Sequence, residues 1–212
     1  MNKMLRTKVF TDLNIVLAIG FITSFLLYAY SIVLNHGYYF SFLVFNLLLA
    51  LIPLIISSRL VYVLKRKRWS AWESLATTLV WVIFLPNSFY MISDYIHLQN
   101  ISSSTILYNV VLFSSFIYLA VFMGLVSLYQ VHNELRSRVK PKTAAILIAA
   151  VIFGCCFAIY LGRDLRWNSW DIVVHPAGLL FDISNLILKP QTYPSMVRTM
   201  LSFFVALGSS FS

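Results

Sequence analysis

The stretch FSFLVFNLLLALIPLIISSRLVYVLKRKR, residues 40–68, decides the fold. Its first part, 40–63, is an almost unbroken apolar run. About 20 such residues suffice for a helix to cross the hydrocarbon core of a bilayer. The run stops abruptly at four consecutive bases, Lys65, Arg66, Lys67 and Arg68. An apolar span ending in a block of Lys and Arg is the pattern of a membrane helix arriving at the cytoplasmic surface.

Working outward, five further segments have the same character: 13–34, 74–93, 105–128, 143–161 and 197–212. The last is short, so it reads as either a full or a partial span. Composition agrees. Of 212 residues, 60% are hydrophobic and 11% charged, against about 45–50% and about 25% in soluble domains. Mean hydropathy is +0.82. These values exclude a disordered chain and a disulfide-rich miniprotein, and they argue against a soluble enzyme. The expected architecture is all-α: one polytopic transmembrane helical bundle over 1–212 with about six spans. The lipid bilayer is its first partner.

The net charge of +9 would suggest nucleic-acid binding in a soluble protein. Here the bases lie between spans, and topology explains them without nucleic acid. Lys3, Arg6 and Lys8, then Lys65–Arg68, then Arg136, Arg138, Lys140 and Lys142 place 11 bases on one side. Arg163, Arg166, Lys189 and Arg198 place four on the other. The bias predicts both termini in the cytoplasm and the loops at 35–39, 94–104 and 162–196 outside. Trp69 and Trp72 then form an inner aromatic belt, and Tyr28, Tyr30, Tyr38 and Tyr39 an outer one. The N-terminus begins like a signal peptide, and Ala29-Tyr30-Ser31 resembles a cleavage site. Its apolar run exceeds the 7–15 residues of a secretory core, so an uncleaved first span is expected. Cys155 and Cys156 are adjacent, lack metal-ligand spacing and are expected to be packing residues. His36 and His132 read as solvated loop residues.

Two features concern packing. Ala150, Gly154, Ala158 and Gly162 recur every fourth position, a small face that lets helix backbones approach closely. It is expected to pack inside the bundle, with a second copy as the alternative. Pro86-Asn87-Ser88 should kink the third span, with Asn87 and Ser88 re-satisfying the backbone there. In the long loop, 176–188 reads as a short interfacial or re-entrant helix.

The polar residues cluster. Asn87, Tyr90, Asp94 and His97 are spaced three, four and three, which makes one helical stripe running outward from the third span. Arg163, Asp164, Arg166, Trp167, Asn168, Trp170, Asp171 and His175 follow the fifth. Asp94, Asp164, Asp171 and Asp182, four of the seven acids, fall on the side where bases are scarce. Ionisable residues at membrane depth are functional candidates, and Asp94 paired with Arg163 or Arg166 is the expected contact.

Phe84-Leu-Pro-Asn-Ser-Phe-Tyr-Met-Ile-Ser-Asp-Tyr-Ile-His-Leu98 and Gly162-Arg-Asp-Leu-Arg-Trp-Asn-Ser-Trp-Asp171 resemble the two signatures of the domain-of-unknown-function 1361 family of bacterial integral membrane proteins. The resemblance covers most of the chain. It rests on Pro86, Asn87, Tyr90, Asp94, His97, Arg163, Arg166, Trp167, Asn168, Ser169, Trp170, Asp171 and Pro176. His175 stands where many members carry Asn. The resemblance implies a membrane location and supplies no mechanism.

Three readings of the outer cluster stand open. In the structural one, arginines pair with Asp94 and Asp171 while Trp167 and Trp170 anchor the loop. In the enzymatic one, Asp94, His97 and Asp171 are the catalytic candidates, acting on an anionic lipid or glycan. The leading reading of the cluster is a binding or scaffolding site, with Asn87, Tyr90, Arg163, Arg166, Trp167, Asn168 and Trp170 as its binding residues. Asp94-x-x-His97 with Asp171-x-x-x-His175 could hold zinc, but the surrounding arginines disfavour a cation, and no metal is expected. The third reading is small-solute transport, or binding to another membrane protein. No Gly-rich phosphate loop, nucleophile elbow, zinc-protease helix or Cys-x-x-Cys occurs, so no cofactor is expected.

Overall fold

A computed structural model of the chain describes residues 3–35, 37–101, 105–167, 171–189, 191 and 193–211. All secondary structure among them is helical. In chain order the elements are α1 (Lys3–Asn35), α2 (Ser41–Leu64), α3 (Trp72–Phe84), α4 (Pro86–Tyr90), a 3₁₀ helix (Met91–Asn100), α5 (Ile106–Arg136), α6 (Pro141–Asp164), α7 (Asp171–Val174), α8 (Pro176–Leu188) and α9 (Pro194–Phe211). Five stretches are long and apolar enough to cross a membrane: Asp12–Leu34, Ser41–Leu64, Trp72–Gln99, Ile106–Arg136 and Pro141–Asp164. The chain is a multi-pass membrane protein with an all-α bundle.

The centre of the bundle is α2 against α5. Leu43, Leu47 and Ala50 are buried with Phe113, Phe116 and Met123 in one apolar cluster. A second cluster joins α3 to α6 and α9 around Trp81, Phe89, Ile152 and Cys156. Pro53 takes a backbone donor out of α2. Hydroxyls from neighbouring helices serve the carbonyls around it: Ser88 Oγ donates to Ala50 O at 2.9 Å and Ser127 Oγ to Pro53 O at 3.0 Å. Trp81 Nε1 donates in turn to Ser127 Oγ at 2.7 Å, which ties α3 to α5. The two serine bonds cross-link α2 to α4 and α5 on either side of the proline. Gly124 is required where these helices meet, because a Cβ there would lie 2.8 Å from the Ser88 Cβ and the Phe89 ring.

The helix α1 leans on α5 through Phe25 and Tyr28, whose rings lie 6.2 and 6.5 Å from that of Phe116. Ile15, Ile19, Ile22 and Leu26 remain more than half exposed. Such a surface is out of place in water and ordinary against lipid tails.

Several expectations change. The fourth span does not stop at 128. It continues as α5 to Arg136, 31 residues in all, or about 46 Å at the helical rise, well beyond the hydrocarbon thickness. His132 therefore lies on a helix rather than in a loop, with its ring 5.4 Å from that of Phe211; His36 lies outside the described residues. The sixth segment is α9, of 18 residues, about 27 Å long and just short of the hydrocarbon core. It runs antiparallel to α6, with Phe204 beside Phe153 and Phe211 at the far end near Ala145.

The small-residue face is internal only at its outer end, where Gly162 packs close to Tyr90 and Trp167. Ala150 and Gly154 are exposed, and a Cβ at Gly154 would meet nothing within 4 Å. The face α6 turns inward is instead Ile148, Ile152, Cys155, Cys156 and Ile159, whose larger side chains fill the space against α9 and α5. Both cysteines are free and buried. The short helix expected at 176–188 is α8.

One end of the bundle gathers the basic loops. There Arg59 and Lys67 both pair with Glu73. Arg138 reaches Glu134 at 3.5 Å and the Leu64 carbonyl at 2.6 Å, stitching the α5–α6 connection to the end of α2. The C-terminal ends of the third span and of α6, and the N-terminal end of α2, meet at the opposite end.

Candidate functional site

At that opposite end α2, α4, the 3₁₀ helix and α6 enclose a cleft of about 510 Å³, within the size range of small-molecule sites. The break at Pro86 creates it. The α3 helix ends at Phe84, Pro86 opens α4, and Asn87 Nδ2 donates to the Phe84 carbonyl at 3.0 Å across the break. Asn87, Tyr90, Asp94 and His97 all line the cleft. They form the predicted stripe, by a different geometry. From Met91 to Asn100 the chain is a 3₁₀ helix, in which residues three apart eclipse. Asp94 and His97 are thereby stacked in one column on the cleft wall.

Runs of 3₁₀ helix this long are uncommon because their hydrogen bonds are poorly aligned. Side-chain contacts hold this one on three sides. Tyr95 Oη and Ser114 Oγ lie 2.8 Å apart and fix it to α5. Arg163 Nη1 donates to the Ser93 carbonyl at 2.8 Å and fixes it to α6. Asn46 Nδ2 donates to Asp94 Oδ2 at 2.9 Å and fixes it to α2.

The last two contacts replace the expected pairing. Asp94 is bonded to Asn46, not to an arginine, and Arg163 holds a main-chain carbonyl one residue away. Asp94 is only 4% exposed. A buried carboxylate demands hydrogen-bond donors, and Asn46 supplies one. Asn46 was the residue sequence reasoning missed; its signal is a single amide inside the apolar run of α2. Phe42, one turn above it, lines the rim, with its ring 4.7 Å from that of His97.

The second cluster divides. Trp167 reaches the cleft. Its Nε1 donates to Asp182 Oδ2 on α8 at 2.9 Å. The indole also lies against Gly178, where a Cβ would sit 3.1 Å from it. Across the cleft, a Cβ at Gly162 would press on the Trp167 carbonyl at 3.3 Å and the Tyr90 ring at 3.4 Å. Glycine at 162 and 178 is what lets the post-α6 chain fold back over the cleft.

The turn itself is made at Arg166, whose φ of 60° lies in the left-handed region and whose side chain is exposed. Neither Arg166 nor Arg163 lines the cleft, and neither does Asp164. Asp171 is buried in α7, and His175, whose N–H bonds the Asp171 carbonyl at 2.8 Å, is exposed. Both stand apart from the Asp94–His97 column, so the four-residue ligand set considered from sequence does not assemble. No group of three or more His, Cys, Asp or Glu side chains among the described residues is placed to hold a metal. Asn168, Ser169 and Trp170 lie outside the described residues.

The sequence profile of the DUF1361 family, described as proteins of unknown function, matches residues 45–207. The chain belongs to this family. The match takes in α2 from its second turn through most of α9, and so all but the Phe42 rim of the cleft described above. No curated protein and no solved structure matches the chain.

Proposed function

We propose that the protein is a bacterial plasma-membrane protein with cytoplasmic termini whose outward-facing cleft binds a small ligand. The orientation rests on the excess of Lys and Arg at the opposite end of the bundle. The binding role rests chiefly on one observation: Asp94, almost wholly buried, faces a cleft rather than a packed core. A carboxylate serving only stability is better surrounded by donors or replaced by apolar packing. Here one amide supports it and a cavity adjoins it. Asn87, Tyr90 and Trp167 complete a mixed polar and aromatic lining typical of ligand sites. Arg163 and Arg166 act on this reading by shaping the wall and the fold-back turn rather than by touching the ligand.

An envelope-facing enzyme is the second reading. It draws support from the placement of Asp94 and His97 in one column on the same cleft, an arrangement suited to proton transfer.

The test is complementation of a deletion strain by Asp94→Leu, His97→Ala and Arg166→Lys, with protein abundance measured alongside. Loss of function at normal abundance for Asp94→Leu supports a binding or catalytic cleft. Full function at normal abundance would refute it, and loss only through low abundance would make the cluster a stabilising network.

A further inference from the structure

We infer that a second groove, at the basic end of the bundle, seats an acyl chain of an anionic phospholipid, with the headgroup at His132, Arg136 and Lys142. This site is separate from the outer cleft and does not depend on it. Only the choice of leaflet, the cytoplasmic one, rests on the orientation proposed above.

The groove lies between α6 and α9 and ends against α5. Its volume is about 290 Å³. Small residues keep it open: Ala145 and Ala149 on the α6 wall, Gly208 on the α9 wall. A Cβ at Gly208 would meet nothing within 4 Å. Phe204 and Phe211 supply the rest of the α9 wall, and His132 adds an imidazole at one end. From Ala145 to Ile152 the groove follows α6 for about 10 Å at the helical rise. Ala145 and Ala149 are exposed, as are the neighbouring Ile146 and Ala150, so the groove opens sideways onto a face that contacts lipid tails. A water in it would have too few polar partners, and hydrocarbon is the occupant that fits.

Charge at the mouth selects the lipid. The His132 ring leans on that of Phe211 at 5.4 Å. Arg136 stands one turn beyond His132 on α5, where residues four apart share a face, and its charge acts on the imidazole. Lys142 stands three residues before Ala145 on α6, one turn toward the same end. Both cations are exposed. The ion pairs at this end of the bundle use other bases: Arg59 and Lys67 with Glu73, and Arg138 with Glu134. Glu134, the acid nearest to Arg136 in the chain, is thereby balanced by Arg138. A phosphate at the mouth meets two cations outside those pairs and an imidazole N–H that can donate to it. Basic pockets between membrane helices on the cytoplasmic side suit anionic headgroups for this reason. A zwitterionic head brings its own cation against Arg136 and Lys142 and gains less.

The experiment uses the full chain in nanodiscs holding equal amounts of phosphatidylglycerol and phosphatidylcholine with matched acyl chains. Lipids retained after gentle release are counted by native mass spectrometry. The expected result is preferential retention of phosphatidylglycerol. Arg136→Gln and Lys142→Gln should each lower it about fivefold, the scale of one basic residue near a charged surface. Ala149→Phe, which fills the groove, should abolish it with both charges intact. Lys65→Gln combined with Arg66→Gln removes two exposed bases at the same end, outside the groove, and should leave retention unchanged. None of these residues lines the outer cleft. Equal loss in the Lys65 and Arg66 double variant would reduce the effect to general surface charge and overturn the site. Phosphatidylcholine retained as strongly as phosphatidylglycerol would overturn the headgroup assignment. Retention indifferent to Ala149→Phe would overturn the seat of the chain. A lipid-free dimer that Ala149→Phe dissociates would make a second copy the occupant and overturn the proposal.

Discussion

The Asn46 amide donates to the Asp94 carboxylate at 2.9 Å across 48 positions of sequence. This contact joins the second span to the outer end of the third, at a place where a buried acid faces the cleft. Asn46→Leu strands the carboxylate and is expected to cost about 1.5–3 kcal/mol, as for a hydrogen bond to a charged group. Asp94→Leu alone leaves the amide unpaired and should also destabilise. The double variant should be more stable than the two single losses added together, because neither partner is then orphaned. Thermal unfolding of the four proteins in one detergent measures the coupling.

Gly124 should tolerate no side chain. Its Cβ would fall on Ser88 and Phe89, both fully buried, and Ser88 is held to the Ala50 carbonyl. Gly124→Ala is expected to lose about 1–3 kcal/mol, the usual range for overpacking. Gly154→Ala, where a Cβ meets nothing within 4 Å, is the matched control and should match or raise the melting temperature, because alanine favours a helix interior over glycine.

Arg166 separates shape from chemistry. Its left-handed φ costs an ordinary residue about 1–2 kcal/mol, and glycine removes that cost. If its exposed side chain touches no ligand, Arg166→Gly should match or exceed the wild-type melting temperature and retain function. Loss of function at full stability would return Arg166 to the list of ligand contacts.

Topology offers an independent check. A reporter placed at 99–104 should read external, and one at 137–142 internal. The opposite pattern would move the cleft to the cytoplasmic side and overturn the proposed orientation.

Much of this arrangement was legible in the sequence because lipid imposes simple rules. Runs of about 20 apolar residues read as spans, and α2 and α6 appear nearly where hydropathy puts them. Spacings of three and four brought Asn87, Tyr90, Asp94 and His97 together correctly. The same spacing could not separate α from 3₁₀ geometry, since a step of three fits both.

Other features were hidden for physical reasons. Asn46 was masked by its surroundings, where one amide hardly alters the hydropathy of a 24-residue helix. The face of Ala150 and Gly154 was misjudged because small residues permit close helix packing without requiring it. Arg163 was expected on a carboxylate, but its Nη1 donates to the Ser93 carbonyl, one residue before Asp94, a contact that side-chain spacing does not reveal.

The most direct test of the account fills the cleft without touching its polar groups. Ala158 lines the deep end and bears no hydrogen bond from its side chain. Complementation by Ala158→Leu, at matched abundance and melting temperature, asks whether the open space is needed. The expected result is loss of function in a protein that folds and inserts normally. Full function with the deep end filled would contradict the claim that this cleft is where the protein works.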